Sequence, residues 1–129
     1  MSQRDDINLA DCIFLTGRIT FIGYAIRANR KKEAKEYIES FGKSLEAKFA
    51  VPFKRKVDGE ILNSDRFSKL PDSDDIFEFK CFGQPCILCF KFEGGWWLTH
   101  GYNRKSNRTP KRQIQRAEQI KEEHIKRFS

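Results

Sequence analysis

His100, Tyr102, Arg104 and Lys105 lie within six consecutive positions and can handle both protons and phosphate. In extended backbone His100 and Tyr102 point to one face, and Arg104 continues it. These residue types suit RNA cleavage without a metal, because the ribose 2′-OH is itself the nucleophile. Such a site takes the 2′-OH proton, stabilises added charge at phosphorus and protonates the leaving 5′ oxygen. Tyr102 or His100 would transfer protons and Arg104 would hold the phosphate. Trp96 or Trp97, just upstream, offers a ring on which a base can stack.

Each of these residues also has a structural reading. His100 can be a buried strand histidine, Tyr102 and the two Trp can be core, and His124 reads as packing or capping in the last helix. Arg104, Lys105 and Arg108 are harder to absorb. Between Gly94 and Ala117 there is no Asp or Glu, while Arg104, Lys105, Arg108, Lys111, Arg112 and Arg116 all fall in that window. Those six account for nearly all of the formal net charge of +7. A field this concentrated points to an anionic partner, with nucleic acid first, and Lys105, Arg108, Lys111 and Arg112 are its candidate RNA-binding residues. Lys54-Arg55-Lys56 is a second basic cluster that reads first as a solvated helix face.

Several chemistries are not written in the chain. It carries no GxSxG, HExxH or phosphate-binding glycine loop. A two-metal nuclease needs converging carboxylates, and the β half from Ile76 offers only Glu78 and Glu93 before the last helix. Cys86 and Cys89 form a CxxC, but residues three apart in a strand point to opposite faces, so core packing is expected rather than a metal site. No metal and no cofactor is called for. No stretch reaches the roughly 18 apolar residues of a membrane span, the start is polar, and the cysteines suit a reducing, cytoplasmic setting.

The elements that position these residues follow from periodicity. One domain over 1–129 is expected, with 1–10 a loosely held lead-in. Ile19–Ile26 is a strand; the run Cys12–Leu15 before it is left open. Asn29 is a candidate N-cap for a helix carrying Ala34, Ile38, Phe41 and Leu45 on one side, which Gly42 can end. A second helix follows, with Pro52 set to kink or break it. Asn63–Asp75 reads as a loop or partly extended connection.

Ile76–Phe82 alternates, with Phe77, Phe79 and Cys81 on one face and Glu78 and Lys80 on the other. Gly83-Gln84-Pro85 is a turn, and Cys86–Phe92 a strand covered on both faces. Glu93-Gly94-Gly95 is a hairpin turn, after which Trp96, Leu98, His100 and Tyr102 share a face. Thr109 as N-cap and Pro110 as first residue open the last helix, with Glu122–Lys126 and Glu123–Arg127 spaced as i,i+4 pairs. The order β-α-α-β-β-β-α predicts an α+β fold, with two N-terminal helices and a C-terminal helix packed on an antiparallel sheet.

FSKLPDSDDIFEFKCFG followed by ILCFKFEGGWWLTHGYNRKSNRTPKRQIQRAE resembles the HigB-like, phage-derived branch of the RelE/ParE toxin superfamily. The likeness rests on Lys69-Leu70, Phe77-Glu78-Phe79-Lys80, His100-Gly101-Tyr102, Arg104-Lys105, Thr109-Pro110 and Ala117-Glu118. It spans about Ala28 to Arg127. The resemblance implies a RelE-like fold and a type II toxin that cuts mRNA, often on the ribosome, without a metal. It also implies a neighbouring antitoxin, often a helix-turn-helix protein, and places Lys80 beside Arg104 as a phosphate-holding, catalytic residue. That family usually has arginine at Lys80 and another near Cys86. Lys80 keeps the charge without the planar fork, and Cys86 keeps neither. A non-catalytic RNA- or ribosome-binding protein and a ParE-like gyrase poison are the alternatives.

Overall fold

The computed structural model describes residues 7–81 and 85–129. The expected lead-in 2–6 and the Gly83-Gln84 part of the expected turn lie outside them. Ile7–Ala10 are not loose. Asp11 Oδ2 accepts the Asn8 backbone N–H at 3.0 Å, and Ile7 and Leu9 pack on the core. A short 3-10 turn, Leu9–Cys12, leads into β1 (Ile13–Thr16) and β2 (Phe21–Tyr24). The first apolar run is therefore a strand of its own.

The rest of the chain forms α1 (Glu33–Ser40), α2 (Lys43–Val57), β3 (Phe67–Lys69), β4 (Phe77–Lys80), β5 (Pro85–Phe92), β6 (Gly95–Asn103) and α3 (Lys111–Phe128). The sheet order is β1-β2-β6-β5-β4-β3. All neighbours are antiparallel except β2 and β6, which run parallel. The α+β class stands, but the sheet is mixed. The connection from β2 to its parallel partner β6 runs through both helices and three further strands, far longer than the crossover a parallel pair needs. The stretch 63–75 contributes β3 at the opposite edge. No helix among the described residues is long and apolar enough to cross a membrane.

Both faces of the sheet are covered. Helix α3 packs Ile114, Ala117 and Ile120 with Cys86, Leu88, Phe90, Trp97 and Tyr102 on one face. Helices α1 and α2 pack Ala34, Ile38, Leu45, Phe49 and Phe53 with Phe79, Ile87, Cys89, Trp96 and Leu98 on the other. Cys86 and Cys89 thus stand on opposite faces, as their spacing requires, and burial pushes the Cys86 thiol up to about 12.

Pro52 lies within α2 without breaking it. A proline cannot bond the carbonyl four residues back. Here that carbonyl, Lys48 O, is met by the Cys81 thiol at 3.5 Å. The expected cap at Asn29 is replaced by a local turn, in which Asn29 Oδ1 accepts Lys31 N–H and α1 starts at Glu33. The β5–β6 turn has positive φ at Glu93 (52°) and Gly94 (80°), the geometry of a tight hairpin.

Along β6 the face pattern changes partway. Cys89 pairs with Leu98 but Leu88 pairs with His100, so Thr99 is an extra residue, a β-bulge. The bulge reverses the alternation. Trp96 and Leu98 face α1 and α2, whereas Tyr102 faces α3. The single shared face expected for Trp96, Leu98, His100 and Tyr102 is therefore two faces.

Glu123 does not pair with Arg127 as the spacing suggested. It takes Arg27 through Nε (3.1 Å) and Nη2 (2.9 Å), together with the Ala28 N–H (2.8 Å). Arg27 also donates to Glu33 at 2.6 Å, and Arg116 pairs with the same Glu33. This chain of charges ties α3 and α1 to the segment between β2 and α1. It draws a planar, bidentate arginine pair away from the helix surface, where an i,i+4 pair contributes little.

Candidate functional site

Glu78 sits at the centre of the site. On a strand face it reads as a solvated carboxylate, yet it is fully buried on the α3 side of β4. It is buried because the 104–109 segment folds across it. Tyr102 donates its hydroxyl to Oε2 at 2.7 Å, and Thr109 Oγ1 lies 3.1 Å from both oxygens. Arg104 Nη2 donates to Oε1 at 3.2 Å. A buried carboxylate with these donors is satisfied and paired.

Two expectations change as a result. Thr109 is not the helix cap: α3 starts at Lys111 with no side-chain cap bond, and the Thr109 hydroxyl goes to Glu78. Arg104 is not without an acid, since its partner comes from a strand 26 positions earlier. Glu78 could have been suspected only from a carboxylate standing on the same sheet face as Tyr102.

Around Glu78 is a cleft of about 170 Å³, lined among others by Ser68, Lys80, Arg104, Asn107, Arg108 and Thr109. Lys80 reaches it from β4, held by its Nζ–H to Ser64 O at 3.0 Å. Arg108 is exposed and, like Lys105, makes no ion pair among the described residues. Arg104 Nε is buried with no hydrogen-bond partner, although Nη2 is committed. Nη1 makes no hydrogen bond among the described residues, so the guanidinium keeps donors beyond those turned to Glu78. Lys111 and Arg112 are exposed on the first turn of α3, next to the cleft.

His100 and Trp97 are placed differently from expectation. His100 is 1% exposed, with Nδ1 3.1 Å from Thr99 Oγ1 and Nε2 2.9 Å from Gln113 Oε1. Burial lowers its pKa to about 4, so it is neutral near pH 7. With both ring nitrogens engaged, it links β6 to α3 and does not present itself to a substrate. Trp97 is fully buried, and its indole N–H donates to Phe92 O at 2.8 Å. It packs in the α3-side core and offers no surface to a base. Trp96, 7% exposed, lies under Lys56, whose ammonium also sits 4.0 Å from the Phe67 ring centre.

Tyr102 remains in the site. Burial first, and then the bond to Glu78, raise its pKa, so the phenol keeps its proton at neutral pH. Cys86 lies between Lys80 and Tyr102 in one cross-strand row, a buried thiol that supplies no cation there. His124, as expected, is packing: it is fully buried among Phe90, Phe92, Trp97 and Phe128, and its Nδ1 accepts the Ile26 N–H at 3.0 Å.

Compared with known proteins, the chain matches no family model and no curated sequence.

Proposed function

We propose that this chain is a metal-independent endoribonuclease that cuts mRNA, acts on ribosome-bound message in the cytoplasm, and serves as the toxin of a type II toxin–antitoxin pair. A small helix-turn-helix protein is the expected antitoxin. One observation carries the reading. Arg104 is held on a buried carboxylate and lines one cleft together with Lys80 and Arg108. The sequence resemblance over Ala28 to Arg127 supports the RelE-like assignment of that cleft.

The chemistry can be assigned to named groups. Arg104, Lys80 and Arg108 hold the scissile phosphate, and Lys105, Lys111 and Arg112 extend the contact along the backbone. The phosphate draws Arg104 from Glu78 Oε1, which then has one donor fewer. Oε1 takes the 2′-OH proton as the 2′ oxygen attacks phosphorus. Tyr102 protonates the departing 5′ oxygen and recovers its proton from Glu78, with which it already shares a hydrogen bond. The products are a 2′,3′-cyclic phosphate and a 5′-hydroxyl.

The test uses EDTA-treated protein on translated and on free mRNA. Wild type should cleave. Glu78→Gln and Tyr102→Phe should each lose roughly 100-fold or more, and Arg104→Ala/Lys105→Ala/Arg108→Ala should lose cleavage and RNA binding together. Unchanged cleavage by the triple variant refutes the site.

A second reading, a non-catalytic RNA or ribosome binder, is favoured by the neutral Cys86 in the Lys80–Tyr102 row. Tight, salt-sensitive binding with no cut products selects it. DNA breakage with intact mRNA selects gyrase poisoning instead.

A further inference from the structure

A second cleft, of about 360 Å³, is lined by Lys31, Glu33, Glu36, Tyr37, His100, Gly101 and Arg116. It exists because the strands end at different points. β2 pairs with β6 only from Trp96 to Leu98, and the last bond on that side is Ala25 N–H to Leu98 O. The chain then turns away, so β6 beyond Leu98 has no strand on that edge. α1 covers one side of the opening and Arg116 of α3 the other.

The Tyr37 ring is fixed in this cleft. It lies against Gly101, where an added Cβ would stand 2.1 Å from Tyr37 Cδ2. Its hydroxyl donates to Asn103 Oδ1 at 2.6 Å and is 3.2 Å from Tyr102 O. Phe41, 49% exposed, meets the ring edge-on at 5.1 Å. Glu36, one position away, is exposed and makes no ion pair among the described residues, whereas its neighbour Glu33 is taken by Arg27 and Arg116. The cleft thus combines a rigid aromatic ring, an unpaired carboxylate and the cation Lys31.

Gly101 precedes Arg104 by three residues, roughly 10 Å of strand. A nucleotide neighbouring one bound at Arg104 can bridge that distance. Of the four RNA bases, guanine presents two adjacent donors, N1–H and N2–H, to a carboxylate; adenine and cytosine present one amino group each. Uracil flanks its single N3–H with two carbonyls that repel a carboxylate.

We infer that the Tyr37–Glu36 cleft is a nucleobase subsite that stacks a guanine of the bound RNA on Tyr37 and reads its donor edge with Glu36. This rests on the proposal that the Arg104 cleft binds RNA phosphate.

Binding of fluorescein-labelled uridine hexamers carrying one central guanosine, adenosine or cytidine, or none, would be read by anisotropy. Wild type should prefer the guanosine oligomer by roughly 5- to 100-fold, the discrimination of a bidentate base contact. Glu36→Gln, a change at an exposed position, should collapse that preference by weakening the guanosine oligomer without weakening the all-uridine one. Tyr37→Leu should weaken every oligomer carrying a base in the cleft, and Arg108→Ala should weaken all alike. Equal binding of all four oligomers by wild type, or an unchanged preference in Glu36→Gln, overturns the subsite while Arg108→Ala still reports on the phosphate cleft. If Arg108→Ala and Arg104→Ala both bind like wild type, the RNA reading falls and the subsite falls with it.

Discussion

Removing the Glu78 carboxylate should strand everything it holds. Glu78 is fully buried and accepts from Tyr102, Thr109 and Arg104. In Glu78→Ala the Tyr102 and Thr109 hydroxyls lose their acceptor, and a guanidinium only 21% exposed loses its counter-charge. Breaking a buried pair by deleting one partner costs about 3–5 kcal/mol. With a urea dependence of roughly 1–3 kcal/mol per molar, the unfolding midpoint should fall by about 2 M. Tyr102→Phe alone should cost about 1.5–3 kcal/mol, the range for a hydrogen bond to a charged group. In the Glu78→Ala background the same change should cost close to nothing, because its acceptor is already gone. Equilibrium urea unfolding of the four proteins, followed by tryptophan fluorescence, closes the cycle. Additive losses, or a Glu78→Ala loss no larger than an exposed carboxylate's, refute the view that this residue organises the site.

Other consequences concern the rest of the fold. Burial holds His100 and His124 at about 4, below the ordinary imidazole value. Their neutral forms favour the folded state, so their contribution is whole above pH 6.5 and is lost as pH falls toward 4; a melting temperature flat across pH 4–7 in thermal scans contradicts this. Gly101→Ala should cost about 1–3 kcal/mol by pushing on Tyr37, and Tyr37→Ala should relieve most of that cost, as calorimetry of the double variant can show. Glu123→Gln should cost about 1–3 kcal/mol by uncoupling Arg27 and Ala28 from α3, whereas Glu122→Gln, on the outward side, should change the melting temperature little.

The helix and strand order was legible because it is local. Ala34, Ile38 and Leu45 mark the α1–α2 face, Ile114 to His124 mark α3, and the alternation at Phe77–Lys80 assigns the two faces of β4. The alternation did not reveal that Glu78 is covered, because what covers it is a loop some thirty residues later in the chain. For the same reason Arg104 looked unpaired and Thr109 looked like a cap. A capping threonine and one reaching across to a strand carboxylate have the same local sequence.

The amino-acid order by itself determined the α+β class, the hairpin, the basic strand-to-loop junction and the candidacy of Tyr102 and Arg104. These follow from side-chain period and charge, which act over a few residues. Tertiary structure decided which of them share a cleft. The extra residue at Thr99 turned Tyr102 toward α3, burial engaged His100 and Trp97 in the core, and the early departure of β2 opened the cleft at Tyr37. Each depends on strand register or on where a neighbouring strand ends, and register is settled only when distant segments meet.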